Sequence, residues 1–572
     1  MSTDPGSPVR LPPAAAKAVR EREASWASAH ASAQAWKKDP QLWPKAPPAE
    51  VPDRLGWLDL PQMMRASLPD LQKFASEVRS EGLDRVVLLG MGGSSLAPSV
   101  LRQVFGHAPG FPELCVLDST HPAAVRALAD PARLPRTLFL VSSKSGTTLE
   151  PNVFHEFFWG QMEKTGIPPG SHFVAISDEG SALDRLARQK GFRRTFHPLS
   201  TVGGRYSALT FFGLVPAALL GADVGGLLDR AASMARACGP SVDPPSNPAL
   251  HLGALMGELA RAGQDKLTLY VGGALRAFPI WVEQLIAEST GKLGTGIVPV
   301  AGEALVASSL YGKDRFFVEL QQQGRQDEAL RAHTESLERD GHPVLRLTYG
   351  DPLDLGGEFF RWEFAVAMSG SVLGIDPFDQ PDVEVAKELA RQAMARGSGP
   401  AGAEPVPRID VKDGPELEGS LRGWLAGIRP GDYVTLQAYL DTTAAAEEAL
   451  EGLRTQLLRR TRVATTSGFG PRFLHSTGQL HKGGPPSVVV LQLLDRPSVD
   501  LPVPGEKFSF GEIIRAQSLG DAQVLLQRHR RVLRLDLGAN ALEGLERLRS
   551  VLTKLPEAPA REVGALSGPA ST

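Results

Sequence analysis

The run from Val86 to Val100, VVLLGMGGSSLAPSV, is an apolar stretch that ends abruptly in glycines and serines, after which a helical pattern starts. A strand that feeds a helix through such a turn is half of a βαβ unit, and parallel strands need crossovers of that kind. The pattern recurs along the chain. Strand-like runs lie at 85–89, 114–118, 137–143 and 172–177, separated by helix-like stretches at 96–106, 121–129, 149–164 and 180–190. It then starts again with KLTLYVGG (266–273), the helix FPIWVEQLIAEST, and strands at 315–320 and 344–350. A strongly apolar helix from 358 to 373 and an amphipathic one at 382–396 follow. Strand and helix alternating at this spacing predict an α/β protein with two tandem three-layer αβα domains built on parallel sheets. The boundaries fall at 55–240 and 241–396, with the switch near 240–265.

Before these domains, residues 1–54 form an arm in which AAAKAVREREASWASAHASAQAW reads as one amphipathic helix, broken by PKAPPAEVPDR. After them, GSGPAGAEPVP (397–407) has linker composition. A C-terminal α/β segment, 408–556, carries strands at DYVTLQAYL and SVVVLQLL and helices at 443–460 and 541–555, and a tail at 557–572 reads as disordered. With 572 residues, 42% of them hydrophobic, the chain can fill two or three substantial cores. Its net charge of −3 offers no electrostatic case for a nucleic-acid or membrane partner. Cys115 and Cys238 are the only cysteines, which argues against a disulfide framework and for a reducing compartment. No Cys/His spacing of zinc type appears, and the N-terminus lacks a signal-peptide apolar core, so a cytoplasmic enzyme or binding protein without a metal is expected.

The opening turn, Gly90-Met91-Gly92-Gly93-Ser94-Ser95, has anion-binding character, because free N–H groups and the helix dipole both favour a phosphate or carboxylate. A dinucleotide fingerprint would need glycine at position 95, where Ser95 stands; Asp118 at a later strand end is its only support. A Walker loop is excluded, since no Gly-Lys-Ser/Thr follows. A second stretch, VSSKSGTTLEP (141–151), again lies between a strand and a helix and brings the hydroxyls of Ser142, Ser143, Ser145, Thr147 and Thr148 beside Lys144. Hydroxyls, N–H groups and one cation suffice to hold a phosphate monoester. A lone Ser/Thr cluster is usually a helix cap, but in a parallel sheet both loops open at the carboxyl edge, where such sheets bind ligands. Gly93, Ser94, Ser143, Lys144, Ser145 and Thr148 are therefore the candidate phosphate site.

These two stretches resemble the sugar-isomerase (SIS) family of phosphosugar-binding domains, and more narrowly the glucose-6-phosphate isomerases. Three further motifs follow in the family's order. TVGGRYSALT (201–210) is similar to the segment with an active-site arginine, here Arg205; QLIAESTGK (284–292) to the segment with the catalytic glutamate, here Glu288; and LGIDPFDQPDVEVAKELA (373–390) to the segment with a glutamine and a lysine, here Gln380 and Lys387. The resemblance covers about 86–390 and implies two SIS-type domains. It implies reversible isomerisation of glucose 6-phosphate to fructose 6-phosphate through a metal-independent enediolate, with a hexose phosphate as the small-molecule partner, no cofactor, and a homodimer. The chemistry agrees: one base must move a proton between adjacent carbons, a cation must face the charge on oxygen, and a further group must open the sugar ring. Taken singly, Glu288 reads equally as a helix-end surface residue, Arg205 as a structural ion pair and Lys387 as a solvated helix face.

One departure stands out. The family places a ring-opening histidine between the glutamate and the lysine and contributes it across the dimer interface. Here that interval holds only His333, in LRAHTESLERDG, and His342, in DGHPV, and neither context matches. The C-terminal segment offers HSTGQLHKGG instead, with His475 and His481 in a Gly-rich stretch. The expectation is that this segment folds back over the sugar site and supplies His475, with His481 and Lys482 in reserve. This arrangement resembles the isomerase modules of transaldolase–isomerase fusions, although no transaldolase domain is present. The rival readings are a structural or oligomerisation role for that segment, a non-catalytic phosphosugar sensor, an isomerase for another sugar such as mannose 6-phosphate, and, most distantly, a dinucleotide-dependent oxidoreductase.

Overall fold

The computed structural model describes residues 11–383 and 406–555. Among these residues the strands form three sheets, all parallel. In the first, β1 (Arg85–Gly90), β2 (Glu113–Leu117), β3 (Thr137–Ser142), β4 (Phe173–Ile176) and β5 (Arg194–Phe196) run in the order β2-β1-β3-β4-β5. In the second, β6 (Lys266–Val271), β7 (Val298–Ala301), β8 (Arg315–Gln322) and β9 (Val344–Tyr349) run β7-β6-β8-β9. In the third, β10 (Ile409–Asp410), β11 (Tyr433–Tyr439), β12 (Ala464–Phe469), β13 (Val488–Leu494) and β14 (Arg531–Asp536) run β10-β14-β13-β11-β12. Each sheet thus contains the same four-strand order, second-first-third-fourth. The predicted α/β class with parallel sheets is the architecture observed, and the C-terminal segment adds a complete sheet of the same kind. Central strands β1, β3, β11 and β13 are buried at every position, because helices cover both faces.

The strands that the sequence reading passed over are mostly edges. β5 has three residues, β7 contains Pro299, and β12 is polar (ATTSGF), so none shows an apolar run. β14 is hidden for another reason: its arginines, Arg531 half-buried and Arg534 buried, break the apolar run but are paired. Arg531 forms a bidentate pair with Asp432, and Arg534 donates to Gln492 at 2.7 Å. The helices Gly414–Ala426 and Phe510–Gln527 were also missed. In the arm, the single predicted helix is two, Pro13–Ser28 and Ala31–Trp36, because His30 takes a left-handed conformation at φ 52°. Residues 1–10, Lys387 with the rest of the 382–396 helix beyond Val383, most of the linker and the 557–572 tail lie outside the described residues. No helix among the described residues is long and apolar enough to cross a membrane.

The third sheet is fastened to the other two by apolar packing. Ala287, Val298 and Val300 share one core cluster with Tyr433, Ala464, Leu480, Val488, Val490 and Leu525. Phe510 meets Phe154 and Phe157 of the first unit at 6.0 and 5.7 Å between ring centres. The helices Pro248–Arg261 and Leu355–Leu373 approach so closely that a side-chain carbon at Gly253 would press on the Ala365 carbonyl. Both cysteines are free.

Burial also sets part of the acid sensitivity. His342 is pushed down to about 4 by burial and then by Lys313 and Arg315, and His481 to about 3 by burial and then by Lys482 and Arg530. Both are neutral in the folded chain and take a proton near 6.5 when unfolded. Their contribution to stability is complete above that value and is lost as pH falls through the folded values. Melting temperature should therefore drop between pH 6.5 and 4, and His342→Gln should flatten that drop; an identical slope in the variant would refute the assignment.

Candidate active site

β1 and β3 are neighbours whose onward connections leave in opposite directions, so the loops after them flank a switch point of the sheet. The two loops touch: Ser142 Oγ donates to the Ser94 carbonyl at 3.3 Å. The glycines of the opening turn are required by close approach. Gly92 has φ +55°, and a side-chain carbon there would lie 2.6 Å from the His475 carbonyl. One at Gly93 would collide with the Gly204 carbonyl, next to Arg205. The turn is thus pressed between the arginine segment and the third unit, which is why no larger residue fits.

In the second loop, Ser143 Oγ accepts from Gly146 N–H at 3.2 Å and donates to Thr148 Oγ1 at 3.4 Å. Ser145 and Thr147 hydroxyls are 2.8 Å apart and exposed. Thr148 stands at the start of the helix Leu149–Glu163 without a side-chain cap bond, so its hydroxyl does not cap the first N–H groups of that helix. Lys144 Nζ binds Asp178 at 2.6 Å and the Ser200 carbonyl at 2.9 Å.

Arg205 is 3% exposed. Its Nε donates to Ser289 Oγ at 2.7 Å, Nη1 to Gln380 Oε1 at 2.9 Å, and Nη2 to the carbonyls of Pro377 and Asp379 at 2.7 and 3.0 Å. Glu288 Oε1 lies 3.4 Å from Arg205 Nη1, and its side chain is 14% exposed. Arg205, Glu288 and Gln380, drawn from segments far apart in sequence, are therefore brought together.

Several residues of this cluster went unnoticed in the sequence. Gln284, one turn before Glu288, donates from Nε2 to both Glu288 Oε2 (2.9 Å) and the His475 carbonyl (2.8 Å). Lys292, in the same motif, donates to the carbonyls of Asp376 and Asp379 and to Asp379 Oδ1 at 2.5–2.6 Å. Burial, then the neighbouring Arg205, lowers its pKa to about 8. The i, i+4 spacing from Gln284 to Glu288 was the available signal for the first. The second has none in sequence, because its partners, two backbone carbonyls and the Asp379 carboxylate, lie 84 and 87 residues away.

His475 ends the short turn Arg472–His475 between β12 and the helix Gly478–Gly483. Its Nε2 is 3.0 Å from Glu150 Oε1, which also accepts from Gln517 Nε2 at 2.7 Å. Gln517 in turn accepts from Thr120 Oγ1 at 2.8 Å. The turn is anchored by Arg472, whose Nε and Nη2 bind the two oxygens of Asp118 at 2.7 and 2.8 Å. Asp118 is thereby committed to an ion pair and is not free to hold a ribose, which removes the one support for a dinucleotide. His481 lies inside the third unit, with Nδ1 3.3 Å from Gln437 and its ring beside Tyr433 and Phe473. Lys482 is buried in an ion pair with Asp521 at 2.5 Å. His333 faces Tyr270 and Tyr311 within the second unit. Lys387 lies outside the described residues. Among the described residues no group of three or more His, Cys, Asp or Glu is placed to hold a metal ion.

Comparison with known proteins points the same way. Residues 70–312 match the phosphoglucose isomerase family model. The glucose-6-phosphate isomerase of Symbiobacterium thermophilum is 30% identical over 389 residues, covering 58% of this chain and 85% of the relative. That of a Synechococcus strain is 28% identical over 437 residues, covering 67% and 80%. Among solved structures, a hypothetical protein from Thermus thermophilus superposes with a TM-score of 0.57 at 24% identity, covering 68% of this chain and all of the other. The glucose-6-phosphate isomerase of Chlamydia trachomatis gives 0.51 at 22%, covering 69% and 81%, and both likenesses speak to the fold. With the sequence match extending over most of the length of these relatives, the chain belongs to the glucose-6-phosphate isomerase family of enzymes.

Proposed function

We propose that the protein interconverts glucose 6-phosphate and fructose 6-phosphate, that Glu288 is the base, and that the site is completed within one chain by His475. The observation that carries this reading is the Glu288–Arg205–Gln380 cluster, with the His475 turn held against it through Gln284. The Glu288 carboxylate takes the proton from C2 of the open-chain aldose and returns it to C1, leaving the ketose. Arg205 faces the negative charge that develops on oxygen meanwhile; its other hydrogen bonds hold the guanidinium rigid, so no reorganisation is needed when the charge appears. Before that step, His475 gives a proton to the ring oxygen as the C1–O5 bond breaks, and the C1 hydroxyl proton passes to solvent as the aldehyde forms. Glu150, 3.0 Å from Nε2, orients the ring, as a carboxylate does for a catalytic histidine. Lys387 is proposed to assist at the same ring, on the family resemblance alone.

The phosphate is assigned to Gly93, Ser94, Ser143, Lys144, Ser145 and Thr148. Replacing Ser145 and Thr148 together by alanine should raise KM about tenfold to a hundredfold, because two hydrogen bonds to a charged group are lost. An unchanged KM would move the phosphate elsewhere. Activity should persist in EDTA, since the charge-stabilising cation is Arg205. Initial rates on glucose 6-phosphate and mannose 6-phosphate decide the sugar: turnover of mannose 6-phosphate alone would overturn the assignment. In domain terms we propose an arm (1–54), two SIS-type units (55–240, 241–396) and a third α/β unit (408–556) that takes the place the partner subunit's histidine occupies in the family.

A further inference from the structure

Residues 376–380 belong to no helix or strand, yet their carbonyls and Gln380 must meet the Arg205 guanidinium within hydrogen-bond tolerance. The segment has to be positioned from outside. On its polar side Arg205 and Lys292 grip Asp376, Pro377 and Asp379. On its apolar side the contact comes from the N-terminal arm. Trp43 is 1% exposed, donates Nε1–H to the Ala367 carbonyl at 2.7 Å, and meets Phe378 edge-on at 5.2 Å. Phe378 continues to Tyr206 at 5.9 Å, and Tyr206 stacks on Trp57 at 5.6 Å and 20°. This chain of four rings leaves the arm, passes through the residue next to Arg205 and the centre of the 376–380 segment, and returns to residues just beyond the arm. Tyr206 also reaches Ser289 Oγ (3.2 Å), the acceptor of Arg205 Nε. The backbone joins in: Gly56 N–H donates to the Thr201 carbonyl at 3.1 Å, and Leu55 pairs with Val202. Ala46, Val51 and Arg54 line a small groove together with Asp376, Phe378 and Asp379.

We infer that residues 43–57 are a positioning element of the active site: Trp43 and Trp57 hold Phe378 and Tyr206 so that the 376–380 carbonyls and Gln380 fix the Arg205 guanidinium. This rests on the reading that Arg205 and Gln380 serve the reaction. The reason is packing. Close-packed cores transmit displacement, and the space left by an indole would be filled in part by Phe378, carrying the arginine's acceptors with it. Among the described residues, neither tryptophan makes a ring contact or hydrogen bond with the proposed base or the phosphate loops, so their effect should pass through Arg205.

The test uses the full chain, assayed well below each variant's melting temperature. Trp43→Ala should lower kcat about tenfold or more with KM little changed, as expected for misplacing a group that acts on the transition state. Trp43→Phe, which keeps a ring against Phe378, should recover most of the rate. Trp26→Ala is the control: Trp26 is buried in the same arm, on the helix Pro13–Ser28, and should lose stability but not kcat. In a Gln380→Ala background, Trp43→Ala should cost clearly less than in the wild type, because the element it positions is already disabled. Equal kcat in Trp43→Ala and Trp26→Ala, or full additivity with Gln380→Ala, would overturn the inference. Should Trp43→Ala not fold, Val51→Ser in the same groove carries the comparison. Gln380→Ala alone separates the two levels: if it is fully active the reading of the site fails, and if it is impaired while Trp43→Ala is not, only the role of the arm fails.

Discussion

Glu288→Gln should lower kcat at least about a hundredfold while leaving substrate binding nearly intact, in line with the loss of a general base. The substitution keeps shape and an oxygen that can still accept from Gln284 Nε2, now 2.9 Å from Glu288. It removes the basic carboxylate. The competing expectation, a collapse of the site through loss of the partner of Arg205, is the weaker one. Arg205 retains Ser289, Gln380 and the carbonyls of Pro377 and Asp379, so its orientation does not depend on the carboxylate 3.4 Å away. Loss of rate with a preserved KM therefore reads as chemistry and not as misfolding. Near-normal turnover by Glu288→Gln would sink the assignment, and exchange of the C2 proton with solvent in the wild type but not in the variant would secure it.

His475→Ala should slow turnover of cyclic glucose 6-phosphate by about a hundredfold, leaving spontaneous ring opening as the supply of substrate. An aldotetrose 4-phosphate has no free hydroxyl with which to close a five-membered ring. Its isomerisation by the variant should stay within about threefold of wild type, since ring opening is bypassed. Glu150→Gln should fall between the two on glucose 6-phosphate, because it keeps a hydrogen bond to Nε2 but removes the carboxylate that orients the ring. An equal loss on both substrates would mean that His475 supports the site through Gln284 and not through ring opening. Concentration matters as well: if the histidine is supplied in cis, specific activity should not decline on dilution in the way a site shared between subunits would.

The loops proposed for the phosphate, the arginine segment and the glutamate helix could be picked out because each is a local signal. A strand end, a glycine turn and a run of hydroxyls lie within about fifteen residues, and the ESTGK run carries Glu288 directly. Glu150 was passed over although it follows the hydroxyl run by two positions, since a glutamate in the first turn of a helix is explained by the helix dipole alone. Lys292, Asp118 and Arg472 were invisible in their roles. Each acts on a group between 84 and 354 residues away, and nothing local marks such a partner. The arm divided at His30 where composition suggested one helix, because packing of the indoles against Cys238 and the Leu355–Leu373 helix outweighs the helix propensity of alanine.

The sequence by itself determined the class of fold, through the alternation of strand and helix, and the candidates for the proposed site, through motifs short enough for local geometry to dictate their shape. Only the tertiary structure separates the two candidate histidines. His475 and His481 stand six residues apart in the same Gly-rich stretch with similar neighbours. The turn after β12 carries one across to Glu150, while the helix that follows turns the other into a fully buried core where its pKa is pushed down to about 3. That choice depends on where the third sheet docks, and docking is set by apolar area shared among segments hundreds of residues apart, a quantity that no stretch of sequence contains.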